Sequence, residues 1–151
     1  MKSLLKPFLL VVLLTFSLAS LAQELQVQDP YVRAVPPGSP VSAAFMELHN
    51  QGSEQRTLVA ASSPVSEVVE LHTHTKVDGV MQMRRVESIE VPAEGKTLLE
   101  PGGLHLMLIN LKETLTPGSQ VEITLTLDDG SQIELSVPVR KTQMQPMSNH
   151  Q

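Results

Sequence analysis

Residues 120–139 read QVEITLTLDDGSQIELSVPV, and their pattern decides the fold class. Apolar and polar side chains alternate through VEITLTL, the period of a strand with one buried face. Asp128-Asp129-Gly130 then supplies a tight turn into the second alternating run, SQIELSV. Upstream the texture repeats. Short β-type runs occupy 25–33, 41–49, 56–61, 67–75, 80–91, 97–99 and 104–111, followed by 120–127 and 131–139. Pro36-Pro37-Gly38, Pro101-Gly102-Gly103 and Pro117-Gly118 punctuate them. Segment 41–50 has some helical propensity, but its neighbours and Asn50-Gln51-Gly52 favour a strand. Many short strands with frequent turns predict an all-β domain, an antiparallel sandwich or barrel. A chain of about 120 residues can bury one such core without disulfides.

Composition narrows the function. The 151 residues carry 11 Lys+Arg against 16 Asp+Glu, a net charge of −5, with no Cys, no Trp, one Tyr, three Phe, seven Met and five His. Without cysteine there is no disulfide scaffold, thiolate metal site, cysteine nucleophile or lipid-modified cysteine. An acidic, aromatic-poor chain lacks the basic stripe and stacking platform of nucleic-acid binders. Sulfur is present only as thioether.

Lys2 and Lys6 precede an apolar run, PFLLVVLLTFSLASLA, that ends in Ser20-Leu21-Ala22. A charged start, a short apolar stretch and a small-x-small site describe a secretory signal peptide cleaved after Ala22. The run is shorter than the ~20 residues a spanning helix needs, and no basic stop-transfer cluster follows. The expected organisation is a signal at 1–22, a domain at 23–140 and a flexible tail at 141–151. Cleavage removes two lysines and no acids, which takes the net charge from −5 to −7. The missing cysteine agrees with export to an oxidising compartment.

The chemistry concentrates in one window. Residues 69–86 read VELHTHTKVDGVMQMRRV, and 101–111 read PGGLHLMLINL. His72 and His74 share a strand face, as do Met81 and Met83, and as do His105 and Met107. If Lys76-Val77-Asp78-Gly79 closes the hairpin as a four-residue loop, His72 faces Met83 and His74 faces Met81, roughly 5 Å apart. Imidazole and thioether without thiolate or a carboxylate cluster suit Cu(I) better than Zn, Ca or Mg. Thioether needs no deprotonation, so His protonation sets the acid limit of such a site. Two His and two Met leave no obvious open position, which favours binding and transfer over catalysis.

Residue by residue, a plainer reading stands beside this one. Met107 in an apolar strand can serve as adaptable core filler, Met81 and Met83 likewise, and His72 and His74 can be exposed polar residues. Burying Met107 would draw His105 inward with it, where an imidazole needs a partner. A metal would be one such partner. At this level both readings remain open.

The spacing His72-x10-Met83-x21-His105-x-Met107 resembles the His-x10-Met-x21-His-x-Met signature of the periplasmic PCuAC-type copper chaperones (the DUF461 family). YVRAVPPG, AAFMELHN, VELH, DGVMQM and PGGLHLML carry the likeness across about residues 26–139. The resemblance implies a cupredoxin-like β-sandwich that binds Cu(I) through His72, Met83, His105 and Met107. It implies delivery of copper in the periplasm, towards the CuA centre of cytochrome c oxidase or through a Sco-type thioredoxin-like protein. His74 and Met81 fall outside the signature, as an outer shell or an alternative ligand pair.

Other residues are assigned more simply. His49 is read as structural and Met46 as core, while Arg33 and Asn50 sit in family words without an evident chemical role. Some members of the resembled family carry Met- and His-containing C-terminal extensions that bind additional copper, so the resemblance makes Met144, Met147 and His150 candidates for a weak second copper site, for Cu(II), alongside the alternative of a plain polar tail. The expected state is a monomer without catalytic residues. No G-x-S-x-G, H-E-x-x-H or phosphate loop appears, which disfavours familiar hydrolases and nucleotide enzymes. A blue-copper electron carrier is excluded because its site uses a Cys thiolate.

Overall fold

The structure is a computed structural model and describes residues 24–142. The expected signal at 1–22 and the tail residues Met144, Met147 and His150 lie outside the described residues. Ten strands follow in order: β1 (Leu25–Arg33), β2 (Val41–Asn50), β3 (Arg56–Ser62), β4 (Ser66–Val77), β5 (Val80–Arg85), β6 (Ile89–Val91), β7 (Gly95–Leu99), β8 (His105–Leu111), β9 (Gln120–Leu127) and β10 (Gln132–Arg140). No helix occurs among the described residues.

The strands form one sheet in the order β5-β4-β8-β2-β1-β10-β9-β3-β6, with β7 beside β2. A further pairing, Ala61 with Val69, joins β3 to β4 and closes seven strands into a barrel-like ring. Outside the ring, β5 hangs from the end of β4, and β6 lies along β3.

The β9–β10 hairpin forms as expected, with Ile133 opposite Leu125 and Val137 opposite Val121. Asp129 Oδ1 accepts from the Ser131 amide, and Gly130 adopts a φ of 82° that a side chain would strain. Its apolar residues supply one side of the core. Ala44, Met46 and Leu48 of β2, Leu71 of β4 and Leu106 and Leu108 of β8 supply the other. Met46 is therefore core.

Two expectations change. Pairing is not antiparallel throughout, because β1 and β10 run parallel at Val32–Val139 and Arg33–Arg140. These first and last strands are joined through the whole domain, a connection long enough for a parallel pair. The single strand expected at 80–91 is two. The Val86 amide donates to the Leu71 carbonyl, after which the chain leaves β4 and pairs Val91 with Arg56 of β3.

Candidate metal centre

The β4–β5 hairpin turns on two residues, Asp78 and Gly79, with φ of 50° and 81°. Val77 pairs with Val80 directly. Two positive φ values define the tight primed turn that Asp-Gly favours, so the four-residue loop is replaced by a shorter one. The register moves by two residues. His72 stands opposite Arg85 rather than Met83, His74 opposite Met83, and Lys76 opposite Met81. A two-residue slip preserves the face of every side chain, so the expected common face survives the correction.

That face points away from the core. On β8, Leu106 and Leu108 enter the core, so His105 and Met107 project from the other side of the sheet. On β4, Leu71 points inward, and Glu70, His72 and His74 point outward with them. Pairing aligns these residues across strands: His72 with His105, and Met107 between Glu70 and Ala43. Met107 is thus half-buried on the outer face and does not fill the core.

Although it faces outward, His105 is only 2 % exposed. Its ring lies 6.2 Å from Phe45, 5.8 Å from His72 and 5.1 Å from His74, the last nearly stacked at 30°. Phe45 is buried outside the main core cluster, with Tyr31 at 5.2 Å and the Arg33 guanidinium 5.1 Å above its ring. A small aromatic platform therefore supports the imidazoles from the β1–β2 side. From the other side comes β5, an exposed strand carrying Met83 and Met81 at 45 % and 55 % exposure.

Hydrogen bonds select which ring nitrogens are free. His72 Nε2 donates to Glu70 Oε2 at 2.8 Å, and its Nδ1 is buried with no hydrogen-bond partner among the described residues. His105 Nδ1 donates to the Gly103 carbonyl at 3.0 Å, which leaves Nε2 as the bare nitrogen. His74 Nδ1 is also buried without a partner. Each buried, unsatisfied nitrogen costs about 1–3 kcal/mol. Metal-binding imidazoles tie one N–H to a carboxylate or carbonyl and offer the other nitrogen, the arrangement His72 and His105 display.

Burial holds the His105 imidazole below its ordinary pKa; the nearby His74, His72 and Arg33 charges add to the effect and the Gly103 carbonyl opposes it. His105 therefore stays neutral, with a lone pair to offer, below the pH at which an ordinary histidine charges.

The fold brings His72 and His105 side by side and sets Met107 and Met83 on the same outer face, across β8, β4 and β5. Among the described residues no three His, Cys, Asp or Glu side chains converge on one metal position as they stand. Sequence reasoning missed Glu70 and Gly103. Glu70 was detectable as the outward residue two before His72, the relation that Glu47 also bears to His49 at 2.8 Å. His49 is likewise tied by Glu47. Asn50 gains a role as a brace, donating to the Glu54 and Val91 carbonyls.

Fold and site define a small all-β domain with a soft-ligand cluster on the outer face of its sheet. Residues 25–139 match the family described as "Putative lipoprotein LpqE-like". The chain belongs to this family, which is the PCuAC (DUF461) family. A protein of Leifsonia xyli subsp. xyli named "Putative lipoprotein Lxx21020" is 35% identical over 120 residues, 79% of this chain and 71% of that one. The solution structure of CuI-DR1885 from Deinococcus radiodurans is 36% identical, with a TM-score of 0.65 over 80% of this chain and 83% of that one. The copper-bound PCuAC domain from PmoF2 aligns with a TM-score of 0.67 over 80% of this chain and 95% of that domain. At 19% identity, that likeness speaks to fold alone.

Proposed function

We propose that this protein is a copper metallochaperone that carries Cu(I) on the outer face of its barrel and hands it to a recipient. Nδ1 of His72, Nε2 of His105 and the sulfurs of Met83 and Met107 hold the ion. The observation that carries this reading is the buried, unpartnered Nδ1 of His72 on the face it shares with His105, Met83 and Met107. The 36% identity to a protein solved as its Cu(I) form supports the choice of metal. So does the ligand chemistry, since imidazole with thioether and no thiolate favours the softer cuprous ion.

The two sides of the cluster have different duties. His105 is fixed by the Gly103 carbonyl and covered by Phe45, so it retains its position whether or not copper is bound. Met83 sits on an exposed outer strand, where a recipient's ligand can reach the copper and displace its thioether first. Transfer then proceeds by ligand exchange and needs no catalytic residue. We assign the work to the periplasm, with cleavage of residues 1–22, and the recipient to the CuA site of cytochrome c oxidase or a Sco-type assembly protein. The carrier acts as a monomer.

Cu(I) titration against a chromophoric competing chelator tests the reading. The full-length protein takes up one Cu(I), and Met83→Ala or His105→Ala weakens uptake by at least about tenfold. Uptake unchanged after replacing all four ligands would remove the assignment.

A further inference from the structure

His74 is unexplained by the four-ligand reading. It lies outside the signature spacing, yet its ring is the nearest of the aromatic neighbours to His105, at 5.1 Å between centroids. Its Nδ1 is buried and has no hydrogen-bond partner among the described residues, the same condition as Nδ1 of His72. A histidine kept only for solubility on an outer sheet face would turn that nitrogen to water. Its backbone is fixed on both sides, by pairing with Met83 and by its amide donating to the Gly103 carbonyl at 3.3 Å.

The same Gly103 carbonyl accepts from His105 Nδ1, so one carbonyl ties the backbone of His74 to the ring of His105. Three imidazoles therefore lie at the junction of β4 and β8, and the methionines extend the cluster along β5 and β8. This separation matters because the two oxidation states of copper want different ligands. Nitrogen-rich shells suit Cu(II), and thioether suits Cu(I). The three rings do not converge on one point as they stand, so His74 has to turn about its side-chain torsions to join the other two.

We propose that His74 is an additional copper ligand that, with His72 and His105, lets the same centre hold Cu(II). The proposal rests on the Cu(I) reading above for the identity of the metal. Cu(I) uses the thioethers of Met83 and Met107 with two imidazoles, and Cu(II) replaces thioether contact with the third imidazole. The protein then accepts copper in either state without a second site.

The test titrates the full-length chain with Cu(II) alone against glycine as competitor, and in parallel with Cu(I). His74→Ala, His74→Asn and His150→Ala are compared with the unaltered protein. The expected result is a Cu(II) spectrum with nitrogen hyperfine structure from three imidazoles, unchanged in His150→Ala. Both His74 variants lower Cu(II) affinity by about 10–100-fold and leave Cu(I) affinity within about threefold. Retained Cu(I) uptake also shows that the variants are folded. Cu(II) affinity indifferent to His74, equal losses for both ions, or Cu(II) binding abolished by His150→Ala would each overturn the proposal. Failure of the unaltered protein to take up Cu(I) would instead remove the chaperone reading. The Cu(II) arm still judges His74 by its own outcome.

Discussion

The carboxylate of Glu70 lies 2.8 Å from Nε2 of His72, and Glu70 also approaches Arg85 at 3.8 Å through its other oxygen. It thereby fixes the tautomer and the orientation of a proposed copper ligand without belonging to the ligand set. Glu70→Ala is expected to weaken Cu(I) binding by about 10–100-fold, the usual effect of losing such a partner. Glu70→Gln, which keeps an accepting oxygen, falls between the two. Competition titration reads the affinities, and equal affinity in all three proteins would show that His72 needs no such support.

The outward orientation of Met107 separates stability from binding. Met107→Leu conserves volume at a half-buried position and is expected to cost less than about 1.5 kcal/mol. Its neighbour Leu106 is wholly buried in the core, and Leu106→Ala is expected to cost about 2–5 kcal/mol. Urea unfolding should order the two variants in that way, while Cu(I) titration orders them oppositely. A larger stability loss for Met107→Leu would return that residue to the core.

Burial lowers the pKa of His105, so below about pH 6.5 the unfolded chain binds a proton that the folded chain resists. Stability therefore rises with pH through that window and falls as the solution is acidified. The expected outcome is lower stability of the copper-free protein at pH 5.5 than at 7.5, by chemical denaturation. His105→Gln should lose part of that difference. An identical pH dependence in the variant would show that His105 is not its source.

Gly79 holds the hairpin that carries Met83. A Cβ there meets no atom within 4 Å, so the obstacle to Gly79→Ala is the φ of +81° rather than space. That strain costs about 1–2 kcal/mol. Because β5 pairs only with β4 among the described residues, the cost falls on the hairpin, and β5 amides should exchange hydrogen faster while the β9–β10 amides do not change. Uniform acceleration across the protein would mean that the hairpin unfolds only with the whole barrel.

Strand positions were legible in the sequence to within a residue or two for most elements, because alternation and Pro–Gly punctuation are local signals. The shared face of His72 with His74, of Met81 with Met83 and of His105 with Met107 was legible for the same reason, since period two fixes faces within a strand. Register was not. Faces survive any even slip, so the sequence could not distinguish His72 opposite Met83 from the observed His74 opposite Met83 without the turn geometry at Asp78-Gly79. Ring closure through Ala61 and Val69 is a long-range pairing with no local mark. The burial of His105 was equally hidden, because its cover comes partly from Phe45 on a strand 60 residues earlier in the chain.

The proposed function comes down to a Cu(I) centre of two imidazoles and two thioethers on the outer face of the sheet. X-ray absorption at the copper edge of the Cu(I)-loaded protein tests it most directly. The expected first shell holds two sulfur and two nitrogen scatterers, with sulfur lost stepwise in Met83→Ala and Met107→Ala. A first shell of nitrogen and oxygen alone would contradict it.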